Sequence, residues 1–239
     1  MAFQNNETEG PAMDLKALYQ RYAFLFRPLL YAKNRLLSLR IRGGSGNRVL
    51  GIDRCLMRRC RITFAGTGNT VEIGDMSTLQ SVQITVCGSH NHVVLGDRVS
   101  LLGCCISIED DKNEINVGSH TYIYNGTELA AIEGTRITLG DDCLLSSNIM
   151  IRTGDSHSIL DMQGNRINPS GDIAIGEHVW IGKGAVVLKN AQIGSNCVIG
   201  TGALVTRSTE TLEGAILAGN PAKPIRSNIT WNRERIPTK

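Results

Sequence analysis

Bulky aromatic residues are scarce in this 239-residue sequence: four Phe, two Trp and five Tyr make up 5% of it. A core of that composition is not filled by large rings and must be built from slim aliphatics. Long apolar runs are missing too, and nothing approaches the roughly 18 uninterrupted apolar residues of a membrane span. Strong charge is also lacking; a net +3 is too mild to argue for a nucleic-acid partner. The seven cysteines are odd in number, form no C-x-x-C pair and follow no secretory signal. That pattern fits reduced thiols packed in a cytoplasmic protein. No GxSxG elbow, Walker loop or post-strand Rossmann fingerprint occurs, so those chemistries are not signalled.

What is present is glycine, 26 residues of it, and a period. Branched aliphatics recur every six positions at Ile175, Ile181, Val187, Ile193, Ile199 and Val205, most of them followed by Gly. A helix needs a period near 3.6 and a half-buried strand a period of two. A period of six marks short strands separated by turns, each unit burying its aliphatic residue by stacking on the next. The sequence therefore predicts a mainly β protein, a parallel β-helix of hexapeptide coils.

A longer period precedes the hexapeptides. Asn69 to Gly74, Asn91 to Gly96 and Asn113 to Gly118 are copies of one motif, with a weaker fourth at Thr135 to Gly140, and the glycines lie 22 residues apart. Three hexapeptides make 18, so these coils carry about four extra residues in one turn. From Gly140 to Gly176 the step is 36, which places an inserted loop at about 154–171. Loops thrown out of a rigid solenoid are where function concentrates. The expected organisation is a disordered tail at 1–12, a helical segment at 13–45, the β-helix at 46–207 and an extension at 208–239. In the helical segment, Leu15, Leu18, Tyr19, Tyr22, Leu25 and Phe26 fall at helical spacing. Pro28 is expected to break or kink that helix and to open a second one through about Leu39, ended by Gly43 to Gly46. Seven Lys or Arg against one Asp between Met13 and Arg42 make the segment basic. It reads as a cap on the first coil or as a peripheral contact with an anionic membrane face, and the two are compatible.

His157, in the inserted loop between Asp155 and Ser158, is the first candidate for chemistry, because neutral imidazole accepts a proton near neutral pH. His90 and His92 raise the question of zinc, but a site needs three or four ligands and no third partner converges, so no metal is expected. His120 and His178 follow corner glycines and read as solvated. Trp180 interrupts the small-residue pattern as packing or as the wall of a ligand site. Lys183, Lys189, Arg207, Lys223 and Arg226 gather cations near the C-terminal coils, which suits a phosphate-bearing ligand.

The hexapeptide array, Glu177-His-Val-Trp-Ile-Gly182 and Ala218-Gly-Asn-Pro-Ala-Lys-Pro-Ile-Arg226 resemble the left-handed β-helix acyltransferases. Arg152-Thr-Gly-Asp-Ser-His157-Ser-Ile, Gly164-Asn-Arg-Ile-Asn168 and Asn228-Ile-Thr-Trp231 are similar to the O-acetyltransferases of capsular and other surface polysaccharides, including the sialic-acid capsule enzymes. The likeness covers roughly 120–235. It implies a left-handed β-helix, a homotrimer with active sites between neighbouring subunits, acetyl-CoA as donor and a carbohydrate hydroxyl as acceptor. By position, it implies that His157 is the general base, that Asn125 orients the acceptor and that Asp155 joins it. Trp180 would flank the pantetheine arm or acyl group. Lys183, Thr201, Gly202 and Thr206 would contact the pantetheine chain, and Arg207, Lys223 and Arg226 the CoA phosphates. Arg207 stands where Lys is commoner, and Thr201 where a smaller residue is usual. Rival readings are acetylation of a small sugar or xenobiotic, a non-catalytic scaffold, and a carbonic-anhydrase-like zinc enzyme.

Overall fold

The computed structural model describes residues 25–238. The tail expected at 1–12 and the start of the helical spacing lie outside the described residues. Three sheets form the walls of a prism of about eight turns. Sheet A runs from Leu39–Arg42 to Leu204–Val205 in eight strands. Sheet B runs from Arg48–Leu50 to Gln192–Ile193 in seven, and sheet C from Leu56–Arg58 to Ala222–Arg226 in nine. Neighbouring strands are parallel throughout, except that Ala222–Arg226 returns antiparallel on Ile216–Gly219.

Register explains both periods. Arg61 pairs with Gln83 and Thr70 with His92, a 22-residue step. Trp180 pairs with Val198 and Val186 with Leu204, an 18-residue step. The side from sheet B to C keeps its length in both kinds of coil, and that from C to A differs by at most one residue. The extra residues therefore sit on one edge, between sheets A and B. The widened edge is sealed by a buried ladder: Asn69 Nδ2 donates to Asn47 Oδ1 at 3.0 Å, Asn91 Nδ2 to Asn69 Oδ1 at 3.1 Å and Asn113 Nδ2 to Asn91 Oδ1 at 3.3 Å. Each Asn Oδ1 also accepts the backbone N–H of the next rung, ending at Thr135. Buried polar groups so paired cost little, and the same groups unpaired would be expensive.

Inside, aliphatic columns stack one strand spacing apart, about 4.8 Å. Val71, Val93, Ile115, Ile137 and Ile173 form one such column, each no more than 1% exposed. The cysteines are all free thiols, and burial pushes Cys55 and Cys104 up to about 12.

The N-terminal end departs from the expectation in two ways. The helix runs through Pro28 without a break to residue 33, and gives way to a π-turn at Asn34–Ser38. Leu39–Arg42 is then already a strand, paired with Cys60 to Thr63, so the coils begin before Gly43. The turn plugs the first coil. Asn34, fully buried, donates to the carbonyls of Ile52 and Cys55 at 2.8 Å each and accepts from the Met57 N–H at 3.2 Å. Among the described residues no helix is long and apolar enough to cross a membrane.

Candidate functional site

The inserted loop leaves the prism at the A/B edge, and its base is closed by the Gly171 N–H donating to the Thr153 carbonyl at 2.9 Å. Two ion pairs, and a third between coil residues that Ser156 joins, fasten it to the coils. Arg152 Nη2 reaches Glu109 Oε1 at 2.8 Å, with Ser156 Oγ bonded to both residues. Arg166 pairs with Glu133. Lys189 pairs with Asp155. The Arg166 hydrogen bond, then that from Ser170, holds Glu133 at about 2, and the Lys189 bond lowers Asp155.

At the loop's centre Asn168 is buried, 7% exposed. Its Oδ1 accepts from the Ile159 N–H at 2.7 Å and from Arg166 Nε at 3.2 Å. Its Nδ2 donates to Asp155 Oδ2 and to the His157 carbonyl, both at 2.8 Å. Sequence reasoning assigned Asn168 no role of its own, although it closes the Gly164-Asn-Arg-Ile-Asn168 motif that carries part of the resemblance. The backbone of His157 is thus held, while its ring is exposed and makes no hydrogen bond among the described residues. Lys189 is engaged by Asp155 and by the Asn168 carbonyl, and both bonds to Asp155 fall on its Oδ2.

A second group of candidates lines the C/A edge. The N–H of Asn148 donates to the Asn125 carbonyl, that of Gly184 to Ser147 and that of Gly202 to Lys183. Asn125, Lys183 and Thr201 with Gly202 therefore stand on one ridge, with Lys183 two coils, about 10 Å, beyond Asn125. Gly184 and Gly202 hold φ of +70° and +68°, and an added Cβ at either would meet nothing within 4 Å. Left-handed backbone selects glycine there, and the ridge stays bare. Trp180 lies on the adjoining face in register with Leu144, itself in register with Tyr122. Its ring is 39% exposed, and its Nε1 donates to Ser146 Oγ at 3.3 Å.

Thr206 and Arg207 return to the A/B edge, two coils beyond the base of the His157 loop. Thr206 N–H donates to Thr209 Oγ1 at 2.9 Å, and its hydroxyl bonds Ser208 Oγ. Lys223 belongs to the terminal hairpin and, with Ser208 to Glu210, Leu212 and Pro221 to Pro224, lines an open groove. Arg226 is exposed at the hairpin's end. One chain thus gathers its candidates on two separate edges. No hydrogen bond or ring contact joins His157 to Trp180 or Asn125 within it.

His120 is exposed, as expected from its corner position, whereas His178 is half-buried and bonded through both ring nitrogens. Arg98 Nη1 bonds His120 Nε2 at 2.9 Å. His178 Nδ1 lies 2.6 Å from Asp142 Oδ2 and its Nε2 3.0 Å from the Trp231 carbonyl. Burial works against the Asp142 carboxylate, but the bonds from His178 and Arg233 outweigh it and its pKa is lowered. Among the described residues no group of three or more His, Cys, Asp or Glu could hold a metal ion.

Comparison with known proteins finds relatives of similar sequence and fold. Residues 172–207 match the bacterial transferase hexapeptide repeat. A polysialic acid O-acetyltransferase of Escherichia coli O1:K1 is 31% identical over 122 residues, 51% of this chain and 39% of that protein. One from Neisseria meningitidis is 32% identical over 121 residues, 50% of this chain and 55% of that protein. The crystal structure of the polysialic-acid-specific acetyltransferase NeuO superposes with a TM-score of 0.74 at 29% identity, covering 82% of this chain and 90% of that one. The likeness is to hexapeptide-repeat O-acetyltransferases of the capsule type. The chain spans about half the length of the curated relatives it matches or less, and over nine-tenths of NeuO's solved chain the fold is shared. The prism matches left-handed β-helix acetyltransferases.

Proposed function

We propose that this chain is an acetyl-CoA-dependent O-acetyltransferase acting on a hydroxyl of a bacterial surface polysaccharide or its sugar precursor, with His157 as general base. The observation that carries the reading is the His157 loop: a backbone clasped by Asn168 and two ion pairs, presenting an exposed imidazole with no hydrogen-bond partner among the described residues. A base awaiting a substrate hydroxyl has this form. The polysialic acid O-acetyltransferases among its relatives support a polysaccharide acceptor.

The two-edge arrangement supports a site made by two copies in a closed ring, with the A/B edge of one opposite the C/A ridge of its neighbour. His157 would then face Asn125 and Trp180 of that neighbour, and the donor would lie along the bare ridge past Lys183, Thr201 and Gly202. The homotrimer implied by the resemblance provides three such sites. In the reaction, His157 takes the acceptor hydroxyl proton as the oxygen attacks the thioester carbonyl. The tetrahedral intermediate collapses, the C–S bond breaks and the protonated imidazole returns its proton to the departing thiolate. No acyl-enzyme is required, because holding donor and acceptor together supplies much of the acceleration. Lys223, Arg226 and Arg207 are the cations for the CoA phosphates.

Calorimetry of acetyl-CoA binding tests the donor without knowledge of the acceptor. Micromolar binding, weakened in Trp180→Ala and Lys223→Ala, is the expected result. Acetylation of a glycan panel should then fall about 10²- to 10⁴-fold in His157→Ala, the range of general-base contributions. A folded protein that binds no acetyl-CoA would leave a scaffold as the better account.

A further inference from the structure

Both nitrogens of the His178 ring face oxygens that only accept hydrogen bonds: the Asp142 carboxylate at 2.6 Å and the Trp231 carbonyl at 3.0 Å. A neutral imidazole has one N–H and would set a lone pair against one of them; the imidazolium satisfies both. The contrast with His120 is instructive, because its Nε2 meets the Arg98 guanidinium and must accept.

The C-terminal segment is built onto His178. The Trp231 indole stacks on the imidazole at 4.2 Å between centroids and 12° between planes, and its Nε1 donates to the His178 carbonyl at 2.7 Å. Arg233 follows. It bonds the other oxygen of Asp142 at 2.8 Å and the carbonyls of His120 and Cys143, and it lies 4.4 Å over the Tyr122 ring. Trp231 is also set against Trp180, centroids 6.1 Å apart and planes tilted 47°. The tail is thereby anchored two residues from Trp180 in sequence and in contact with it in space.

We propose that residues 228–233 form a clasp that positions the Trp180 indole, closed while His178 carries both ring protons and Asp142 is ionised. His178, Trp231 and Arg233 are positioning residues in this scheme. The inference rests on the reading that Trp180 borders the donor. The charged groups around the imidazole are Asp142 from the preceding coil, Arg233 from the tail through that same carboxylate, and Asp141 and Glu177 at adjoining positions of the corner. Loss of the second ring proton removes one of the two bonds and withdraws positive charge from Asp142, so the clasp loosens when the imidazolium is deprotonated. Protonation of Asp142 opens it at the acid end.

The chain's only tryptophans are Trp180 and Trp231, so emission reports directly. In Trp180→Phe the remaining indole sits on His178, and a protonated imidazole in contact quenches an indole. Emission should rise with pH along a single titration and become flat when His178→Gln is added. A flat profile in Trp180→Phe alone, or a titration that survives His178→Gln, overturns the clasp. Acetyl-CoA calorimetry at the two ends of the titration gives the functional arm. Wild-type affinity should fall about fivefold to tenfold toward high pH, the cost of re-ordering one or two freed side chains on binding. Trp231→Ala should bind with the weak, high-pH affinity at both ends. Equal wild-type affinity at both pH values refutes the clasp and leaves acyl transfer standing. Absence of binding at either pH refutes the acyl-transfer reading on which the clasp depends.

Discussion

Replacing Asn168 with Ala removes the four hydrogen bonds that fasten the His157 loop from within, while every coil keeps its own bonds. Each such bond is worth about 0.5–1.5 kcal/mol net, and water reaches part of this exposed loop, so the local loss is about 2–3 kcal/mol. At about 1.4 kcal/mol per factor of ten, the equilibrium for loop opening shifts roughly 30- to 100-fold. Hydrogen exchange followed by mass spectrometry should show that loss of protection over 154–171 and unchanged protection in the columns of sheets A to C. The urea midpoint of the solenoid should barely move. Turnover should fall at least about tenfold, because an imidazole misplaced by an ångström is costly, while acetyl-CoA affinity stays within about twofold. If the loop amides of Asn168→Ala exchange as in wild type, Asn168 is not the buckle. If the coils lose protection together with the loop, the insertion is part of the solenoid's cooperative unit and the separation drawn between them is wrong.

Acid should loosen the same loop. Glu133 is held at about 2 against an ordinary 4.5, and Asp155 lies below its ordinary 3.8; their stabilisation is complete above those ordinary values and lost as pH falls through the folded ones. Limited proteolysis should therefore leave the loop intact at neutral pH and cut it progressively in the acid range below about 4, and equal cutting at both would count against the ion pairs. Asn91→Ala, in the middle of the buried ladder, should lower stability by about 3–5 kcal/mol at unchanged denaturant slope, whereas Asn47→Ala at its half-exposed start should cost under about 1 kcal/mol. Equal losses would show that the ladder is not the seal of the widened edge. From Leu25 to Arg61, ten Lys or Arg face a single Asp, and Leu36 and Leu37 are 81% and 83% exposed beside Arg35 and Arg40. The protein should co-float with anionic vesicles at low salt, and release in about 0.5 M salt or after Arg40→Glu with Arg59→Glu; no flotation at low salt would confine the N-terminal segment to capping.

Much of the prism could be read from the sequence because every coil repeats its own solution. An aliphatic residue points inward once per face, and glycine steps of 22, 36 and 18 residues located the wide coils, the insertion and the narrow coils before any register was known. The first strand was hidden because Leu36-Leu-Ser-Leu-Arg-Ile-Arg42 suits a helix as well as a strand; pairing with Cys60 to Thr63 decides it. The recurrence of Asn69, Asn91 and Asn113 was visible, but a ladder is a relation between coils and no single coil displays it. The clasp was out of reach for the same reason. His178 and Trp231 are 53 residues apart and Arg233 and Asp142 are 91, and no local pattern links them. Asn125, Lys183, Thr201 and Gly202 share a ridge and His157 lies on another edge, which only the path of the coils could disclose.

The Gly171 to Thr153 hydrogen bond at the foot of the loop has a further consequence. The step across the insertion is 36 residues, and the loop at 154–171 accounts for 18 of them. Excision of that segment would join Thr153 to Asp172 and leave a coil of 18, the girth of the coils that follow. The scaffold would close over the cut as though the loop had never been there. A loop attached this way is detachable, and a lineage could exchange one such loop for another without relearning how to fold.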